Sequence, residues 1–259
     1  MTLDPSDHDL MVIFLVSVIA IVLTGEVGRW LGGRASTPAT ASVSTLEGAI
    51  LGLLALMIGF TFSMALSRFE ARRDAVLIEA NAIGTTALRA RLLPAPHNRE
   101  TLRLLRDYVK LRLDITRDIP TPEELDAMVR RSGKIQEALW QQVKAVTARD
   151  NGMVPTGLFI QSLNEMIDNQ EKRLLAARNR LPAVILYALY AVAIVAIGFA
   201  GYANGLQARY SRLPVHLVGV LVAAMIILIQ DLERPGAGFI RVGQEPMVSV
   251  AATLAGFAD

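Results

Sequence analysis

The sequence predicts an all-α integral membrane protein, with four transmembrane helices and a long helical cytoplasmic insertion between the second and third. Three observations indicate this class. Apolar residues make up 53% of the 259 residues and charged residues only 19%, whereas soluble domains carry about a quarter charged residues. The mean hydropathy is +0.40. Four apolar stretches are long enough to cross a bilayer, which takes roughly 20 residues.

The four predicted spans divide the chain into four parts. The spans cover residues 10–31, 46–66, 182–202 and 214–229. The predicted domains are 1–66 with the first two spans, 67–181 with the insertion, 182–232 with the last two spans, and a tail over 233–259. The first span is preceded by Asp4, Asp7 and Asp9 and by no Lys or Arg, whereas a signal peptide begins with a positive region. We therefore expect a retained helix.

Basic residues are distributed unevenly about the spans. The 67–181 segment holds 20 of the 26 Lys and Arg residues, and Arg234 and Arg241 follow the last span. Cytoplasmic loops carry the excess of Lys and Arg near span ends. The count predicts that the insertion and both termini are cytoplasmic.

The insertion reads as helix throughout. The second span is expected to continue as helix to about Leu93, where Pro94 and Pro96 end it. Asn98 is a candidate N-cap for the next helix, which Glu100 in its first turn supports.

Two more helices are expected in the insertion. They begin at Thr121 and near Pro155, the first with a possible pause at Ser132-Gly133. In the tail, 247–250 is ambiguous between strand and helix.

No constellation for catalysis, cofactor or metal appears. The chain has no Cys, no glycine-rich phosphate loop and no zinc-protease motif. Its three His, at positions 8, 97 and 216, are scattered. We predict no enzyme, no cofactor and no metal. The net charge is only +2 and dispersed, so no nucleic-acid partner is expected.

Small residues follow one face of the second span. Gly48, Gly52, Ala55 and Gly59 recur every three or four residues. Small residues let another helix approach closely, so this face is interpreted as helix packing, with a pore-lining face as the other reading. The opposite, bulky face is expected to meet lipid.

Glu47 lies at the outer end of the same span. A carboxylate in a span is a functional candidate, here at the outer mouth. An ion pair with Arg29 or Arg34 across the short outer loop is equally compatible with the sequence.

Three strings carry a resemblance to a known family. They are GFTFSMALSRFE at 59–70, EANAIGT at 79–85 and DLERPGAGFIRV at 231–242. These strings resemble those of the bacterial bestrophin-like domain membrane proteins, and the match extends from the first span to the tail. The resemblance implies a multi-pass protein of the bacterial inner membrane.

The layout is also distantly similar to that of true bestrophins. Those are pentameric ion channels with four spans, cytoplasmic termini and an axial pore lined by the second span. Their second span carries a Gly-Phe pair, followed eight residues after the Phe by Arg and an aromatic. Gly59-Phe60 and Arg68-Phe69 fit that spacing.

The resemblance implies a hydrophobic neck in the pore. Phe60 matches the neck Phe, and Leu56 is the bulky residue one turn earlier. Two turns earlier the channels are bulky again, whereas this chain has Gly52. That difference counts against a tight neck at this position.

An inner motif follows from the same resemblance. It comprises Arg68, Asp231 and Pro235. In the animal channels an acidic run after the Pro binds calcium, whereas residues 236–238 here are Gly-Ala-Gly. Calcium gating is therefore not implied.

Two functions of different classes remain open. The first is a bestrophin-like homo-oligomeric ion channel, pentameric by the resemblance, with the lipid bilayer and inorganic ions as partners. The alternative is a non-conducting membrane scaffold or sensor whose cytoplasmic helices bind a partner. The Gly-Phe and Arg-Phe spacing favours the channel. The lack of a charged ring in mid-membrane counts against it, since filters use rings of charge or apolar constrictions.

Overall fold

The computed structural model describes residues 10–35, 40–117, 122–149, 153–207, 211–234 and 238–257. These ranges contain eight helices and no strand: α1 (Leu10–Gly32), α2 (Thr40–Ala90), α3 (His97–Arg117), α4 (Pro122–Thr147), α5 (Met153–Arg178), α6 (Ala183–Gly205), α7 (Leu213–Leu232) and α8 (Glu245–Ala255). Four of the helical stretches are long and apolar enough to cross a membrane. The all-α class of the sequence prediction is confirmed for the described residues, and so is the presence of four helices able to span a membrane.

The first of two compact units is built from α1, α6, α7 and the part of α2 up to Phe69. Its core is aliphatic, with Ile21, Leu189, Ile197 and Ile226 almost fully buried. The helices are apolar on all sides, as expected where the outward faces meet lipid rather than water.

The second unit is built from the rest of α2 together with α3, α4, α5 and α8. Each of these helices buries one face, and α3 and α4 are strongly amphipathic. The core contains Ile83, Leu105, Leu139, Phe159 and Met247. Such one-sided burial is the pattern of helices that pack together in water.

The helix boundaries sharpen the sequence prediction. α2 is a single helix of 51 residues, and it ends at Ala90, a turn before Pro94. α4 continues through Ser132 and Gly133 without a pause, and the Ser132 side chain is fully buried. α5 ends at Arg178 and α6 begins at Ala183, so the two are separate helices. The expected helix start at Thr121 lies outside the described residues.

The ambiguous tail segment is helical. Pro246 occupies the first turn of α8, a position that favours helix because its missing N–H needs no partner there. Met247, Val250 and Leu254 are buried at spacings of three and four, which is the period of a helix. Arg106 completes the packing, since its Nε and Nη2 donate to the carbonyls of Leu254 and Phe257 at 3.0 and 2.8 Å.

Candidate functional site

Within the first unit, α2 packs against its own chain through one face only. Leu54, Thr61 and Ala65 are buried on that face, at helical spacings of seven and four. The Thr61 hydroxyl donates to the Met57 carbonyl at 2.6 Å, so its polar group is satisfied inside the helix. The other faces of this part of α2 are left open.

The three neck candidates lie on the open side. Gly52, Leu56 and Phe60 follow one another at intervals of four and therefore form one line along the helix. Leu56 is 61% exposed and Phe60 is 70% exposed. A Cβ at Gly52 would meet no atom within 4 Å. One chain cannot enclose a pore with such a line, so any pore needs further copies.

The small-residue face of α2 also has no neighbour in the chain. Added Cβ atoms at Gly48, Gly52 and Gly59 would meet nothing within 4 Å, and Ala55 is exposed. Close helix packing at this face, if it occurs, is packing against another molecule. That interpretation stays a prediction.

Close glycine packing inside the chain occurs between α1 and α6, and sequence reasoning missed it. A Cβ would overlap a backbone carbonyl oxygen of the facing helix at each of four positions: Gly28 against Gly198, Gly32 against Tyr202, Gly201 against Gly25 and Gly205 against Arg29. The backbones therefore touch, which only glycine permits. The signal was present, since both helices carry glycines at successive spacings of three and four.

The Arg residues expected near Glu47 have other contacts. Arg29 Nη1 donates to Asn204 Oδ1 at 3.2 Å, and the Arg34 guanidinium lies 3.6 Å from the centroid of the Trp30 ring. Within the described residues, Glu47 takes part in no ion pair. Its side chain is half-buried on the helix.

A second carboxylate, Glu26 in the C-terminal part of α1, has two charged or titratable partners. Glu26 Oε1 lies 3.1 Å from His216 Nε2, and Glu26 Oε2 lies 3.7 Å from Arg212 Nη1. These contacts join the C-terminal part of α1 to the start of α7.

Of the inner motif, Asp231 binds backbone N–H groups through its carboxylate. Asp231 accepts from the backbone N–H groups of Phe239 and Ile240 at 2.9 and 2.8 Å. Gly238, with φ of +131°, passes directly against Asp231 Oδ1, where a Cβ would collide. Asp231 therefore fixes the path of the chain after α7. Pro235 lies outside the described residues.

Arg68 is held near Glu233, a residue that sequence reasoning did not single out. Arg68 Nη1 lies 3.9 Å from Glu233 Oε1. Glu233 Oε2 accepts from the backbone N–H of Leu181 at 2.6 Å. This carboxylate thus ties together α2, α7 and the segment before α6.

A buried ion-pair cluster in the second unit was also missed. Glu79 is fully buried and lies 2.8 Å from Arg112 Nε and 2.7 Å from Arg173 Nη1. The Tyr108 hydroxyl lies 3.0 Å from Glu79 Oε1 and 2.6 Å from Gln170 Oε1. The sequence signal for this cluster was the spacing of Arg112, which follows the buried Leu105 and Tyr108 on the same face of α3. An Arg on the buried face of a helix indicates a buried carboxylate partner.

Burial shifts the titration of two members of this cluster. The pKa of Tyr108 is raised well above its usual value, mainly by burial and then by the Glu79 charge. Burial lowers the pKa of Arg173, while Glu79 opposes that shift. The carboxylate between two guanidinium groups offsets their desolvation. The arrangement holds α2, α3 and α5 together.

Comparison with known proteins identifies a matching family and solved structures of similar fold. The family model of the bestrophin-like domain matches residues 14–247. A crystal structure of a bacterial bestrophin homolog from Klebsiella pneumoniae is similar, with 18% identity, a TM-score of 0.65, and coverage of 95% of this chain and 96% of that one. A variant of that homolog gives 16% identity, a TM-score of 0.68 and the same coverage. Among curated protein sequences, none matches.

The two comparisons support different statements. At such low identity the solved structures show the shared fold alone. The family model covers most of the chain, including the first span from residue 14 onward and the other three spans in full. This chain therefore belongs to the bestrophin-like family.

Proposed function

We propose that several copies of this chain, five by the resemblance to bestrophins, form an ion channel whose axial pore is lined by α2. The observation that carries this proposal is the line of Gly52, Leu56 and Phe60. The two larger side chains point away from their own chain, with Phe60 70% exposed. True bestrophins, which this layout resembles, are ion channels, and this chain belongs to the bestrophin-like family, so conduction is the first function to test.

In this proposal Phe60 and Leu56 form the neck. A ring of apolar side chains gates a pore by excluding water. Gly52 contributes no side chain, so the neck is expected to be short, extending over Leu56 and Phe60 only. Glu47 is assigned to the outer mouth.

The remaining candidates have structural roles in the proposal. Gly48, Gly52, Ala55 and Gly59 would allow the α2 helices of neighbouring copies to approach closely. Arg68 and Asp231, together with Pro235, would position the inner end of the pore.

The test is the substitution Phe60→Ala. Removing the ring widens the neck, so we expect ion flux into reconstituted liposomes to rise. Leu23→Ala is the matched control, since Leu23 is 60% exposed on α1 and outside the proposed pore. A Phe60→Ala protein that remains assembled and stable but conducts no more than empty liposomes would contradict the neck.

If Phe60 packs between copies instead, the same substitution leaves a cavity. The oligomer would then lose roughly 3–5 kcal/mol per site, and its melting temperature would fall with no gain of flux.

We further propose that residues 67–181 and both termini face the cytoplasm of a bacterial inner membrane. The chain has no Cys, so one introduced Cys reports its own side. Gly133→Cys is suitable because an added Cβ there meets nothing within 4 Å, whereas neighbouring Ser132 is buried. In intact cells, a membrane-impermeant thiol reagent should label Gly33→Cys and leave Gly133→Cys unlabelled. The reverse pattern would invert the topology.

One observation favours the scaffold or sensor as a second candidate. In the second unit, α2 exposes Leu77 and Leu88 on one side, 46% and 55% exposed, and Leu92, 60% exposed, follows in the turn after the helix. Such a stripe suits a helical protein partner. Leu88→Glu should abolish partner capture in a scaffold. Failure of the Phe60→Ala flux test with intact assembly would move the proposal to this function.

A further inference from the structure

One histidine of the first unit has an oxygen atom at each of its two ring nitrogens. His216 Nδ1 lies 2.8 Å from the carbonyl oxygen of Arg212, and His216 Nε2 lies 3.1 Å from Glu26 Oε1. The first contact stays at the start of α7, and the second crosses from α7 to α1. The imidazole ring therefore connects the two helices.

Both contacts need a ring hydrogen, and a neutral imidazole has only one. A carbonyl oxygen only accepts, so the contact with Arg212 requires a hydrogen on Nδ1. An ionised carboxylate also only accepts, so the contact with Glu26 requires a second hydrogen, on Nε2. A neutral ring of either tautomer directs one lone pair at an oxygen atom. A proton on the Glu26 carboxyl would satisfy the same contact with the same total. The pair thus holds one proton more than a neutral histidine and a carboxylate do.

The charges around the ring make this proton depend on Glu26. The ring lies in the first turn of α7, where the positive end of the helix dipole disfavours a cation. Arg212 adds a positive charge, and its Nη1 lies 3.7 Å from Glu26 Oε2. The neighbouring helix α6 contains no Asp, Glu, Lys, Arg or His. Among the described residues, Glu26 is the carboxylate that contacts the ring.

We propose that Glu26 and His216 form a proton-dependent clamp between α1 and α7. Histidine is the side chain whose charge ordinarily changes near neutral pH. In acid, the imidazolium donates to both oxygen atoms and forms an ion pair across the two helices. As the pH rises and the ring loses a proton, one of the two contacts is lost. The clamp therefore adds stability in acid that disappears in alkali.

The side of the membrane follows from the proposed topology, whereas the clamp itself does not depend on it. With both termini in the cytoplasm, the end of α1 and the start of α7 lie at the outer face. The clamp would then respond to the pH outside the inner membrane.

The test is a double-mutant cycle with Glu26→Ala, His216→Ala and both, in the full-length protein in detergent micelles. Denaturant titration gives the unfolding equilibrium constants at about pH 5 and about pH 9, on either side of the usual histidine range. The two side chains are 36% and 31% exposed, so water weakens their attraction. We expect a coupling of about three-fold in acid and none in alkali.

A second pair at the same end of α1 is the matched control. Arg29 Nη1 donates to Asn204 Oδ1 at 3.2 Å, which joins α1 to α6 through groups that do not titrate in this pH range. The cycle of Arg29→Ala and Asn204→Ala should give the same coupling at both pH values. It separates loss of the clamp from a general effect of pH on the protein or the detergent.

His216→Gln provides a test that leaves Glu26 in place. The Gln amide donates a hydrogen and carries no titrating proton, so the stability lost by this variant should be larger in acid than in alkali.

Three results would overturn the proposal. One is an equal coupling of Glu26 and His216 at both pH values, because the contact would then need no additional proton. Another is no coupling at about pH 5 in four proteins that all fold. The third is a stability difference between His216→Gln and the unsubstituted protein that is the same in acid and in alkali.

Discussion

The glycines between α1 and α6 and the glycines of α2 have the same spacing and opposite surroundings. At Gly28 and Gly201 a carbonyl oxygen of the facing helix occupies the place of a Cβ. At Gly48 and Gly52 a Cβ would meet nothing. The difference teaches that a small-residue stripe marks where a helix can be approached, and the fold decides whether its own chain does so.

The energetics of the two faces differ accordingly. In lipid, the hydrophobic effect does not drive helices together, because the acyl chains are as apolar as the side chains. Helices therefore associate through close van der Waals packing. The contact of α1 with α6 gains that packing within one chain. No atom of the same chain lies within 4 Å of a Cβ added at Gly48 or Gly52, so substitution there should leave the folded chain intact and, in the proposed oligomer, affect assembly.

Gly28→Leu should give the largest effect on this comparison. The side chain would push α1 away from α6 at the point where their backbones touch. We expect a loss of at least about 3 kcal/mol in the free energy of unfolding, at the upper end of overpacking, measured by denaturant titration in detergent. Gly33→Leu is the control, because the nearest atoms to its Cβ lie at 3.5 Å or more. Equal stability of the two variants would refute the contact.

Gly52→Leu should give an intermediate effect, on assembly of the oligomer rather than on stability of the folded chain. The folded chain has room for the side chain, so its unfolding free energy should change by less than about 1 kcal/mol. Neighbouring copies would be held apart, and the oligomer peak should shift to smaller species in size-exclusion chromatography. An unchanged peak would mean that this face meets lipid.

Gly48→Ala should give the smallest effect. A methyl group fits within the chain, and Ala replaces Gly in a helix with a gain of about 0.5–1 kcal/mol. We expect a slightly raised melting temperature for the dissociated chain. A lowered melting temperature of the oligomer alone would locate a neighbouring backbone at Gly48.

The sequence predicted the helices well because their causes are local. Runs of apolar residues specify the spans, and Pro94 with Pro96 stops α2 within a few residues of the expected end. The ambiguity over the segment that forms α8 has a local explanation as well. Met247 and Val250 are β-compatible in a four-residue window, and only Leu254 reveals the helical period.

The sequence predicted which residues of the candidate site share one line along α2. It did not predict whether that line faces the rest of the chain. That Leu56 and Phe60 share a line with Gly52 follows from the helical period. That this line faces away from its own chain follows from the burial of Leu54 and Ala65. Burial is a property of packed helices, which the spacing of residues within one helix does not determine.

By itself, the sequence determined the all-α membrane class, the four spans and the residues on each helix face, because these depend on hydropathy and on a period of 3.6 residues. The tertiary structure alone decided which glycines touch a neighbour, and that Glu79 meets Arg112 and Arg173. These partners lie 33 and 94 residues away. Contacts over such separations depend on how whole helices pack, since a local pattern leaves the choice of partner open.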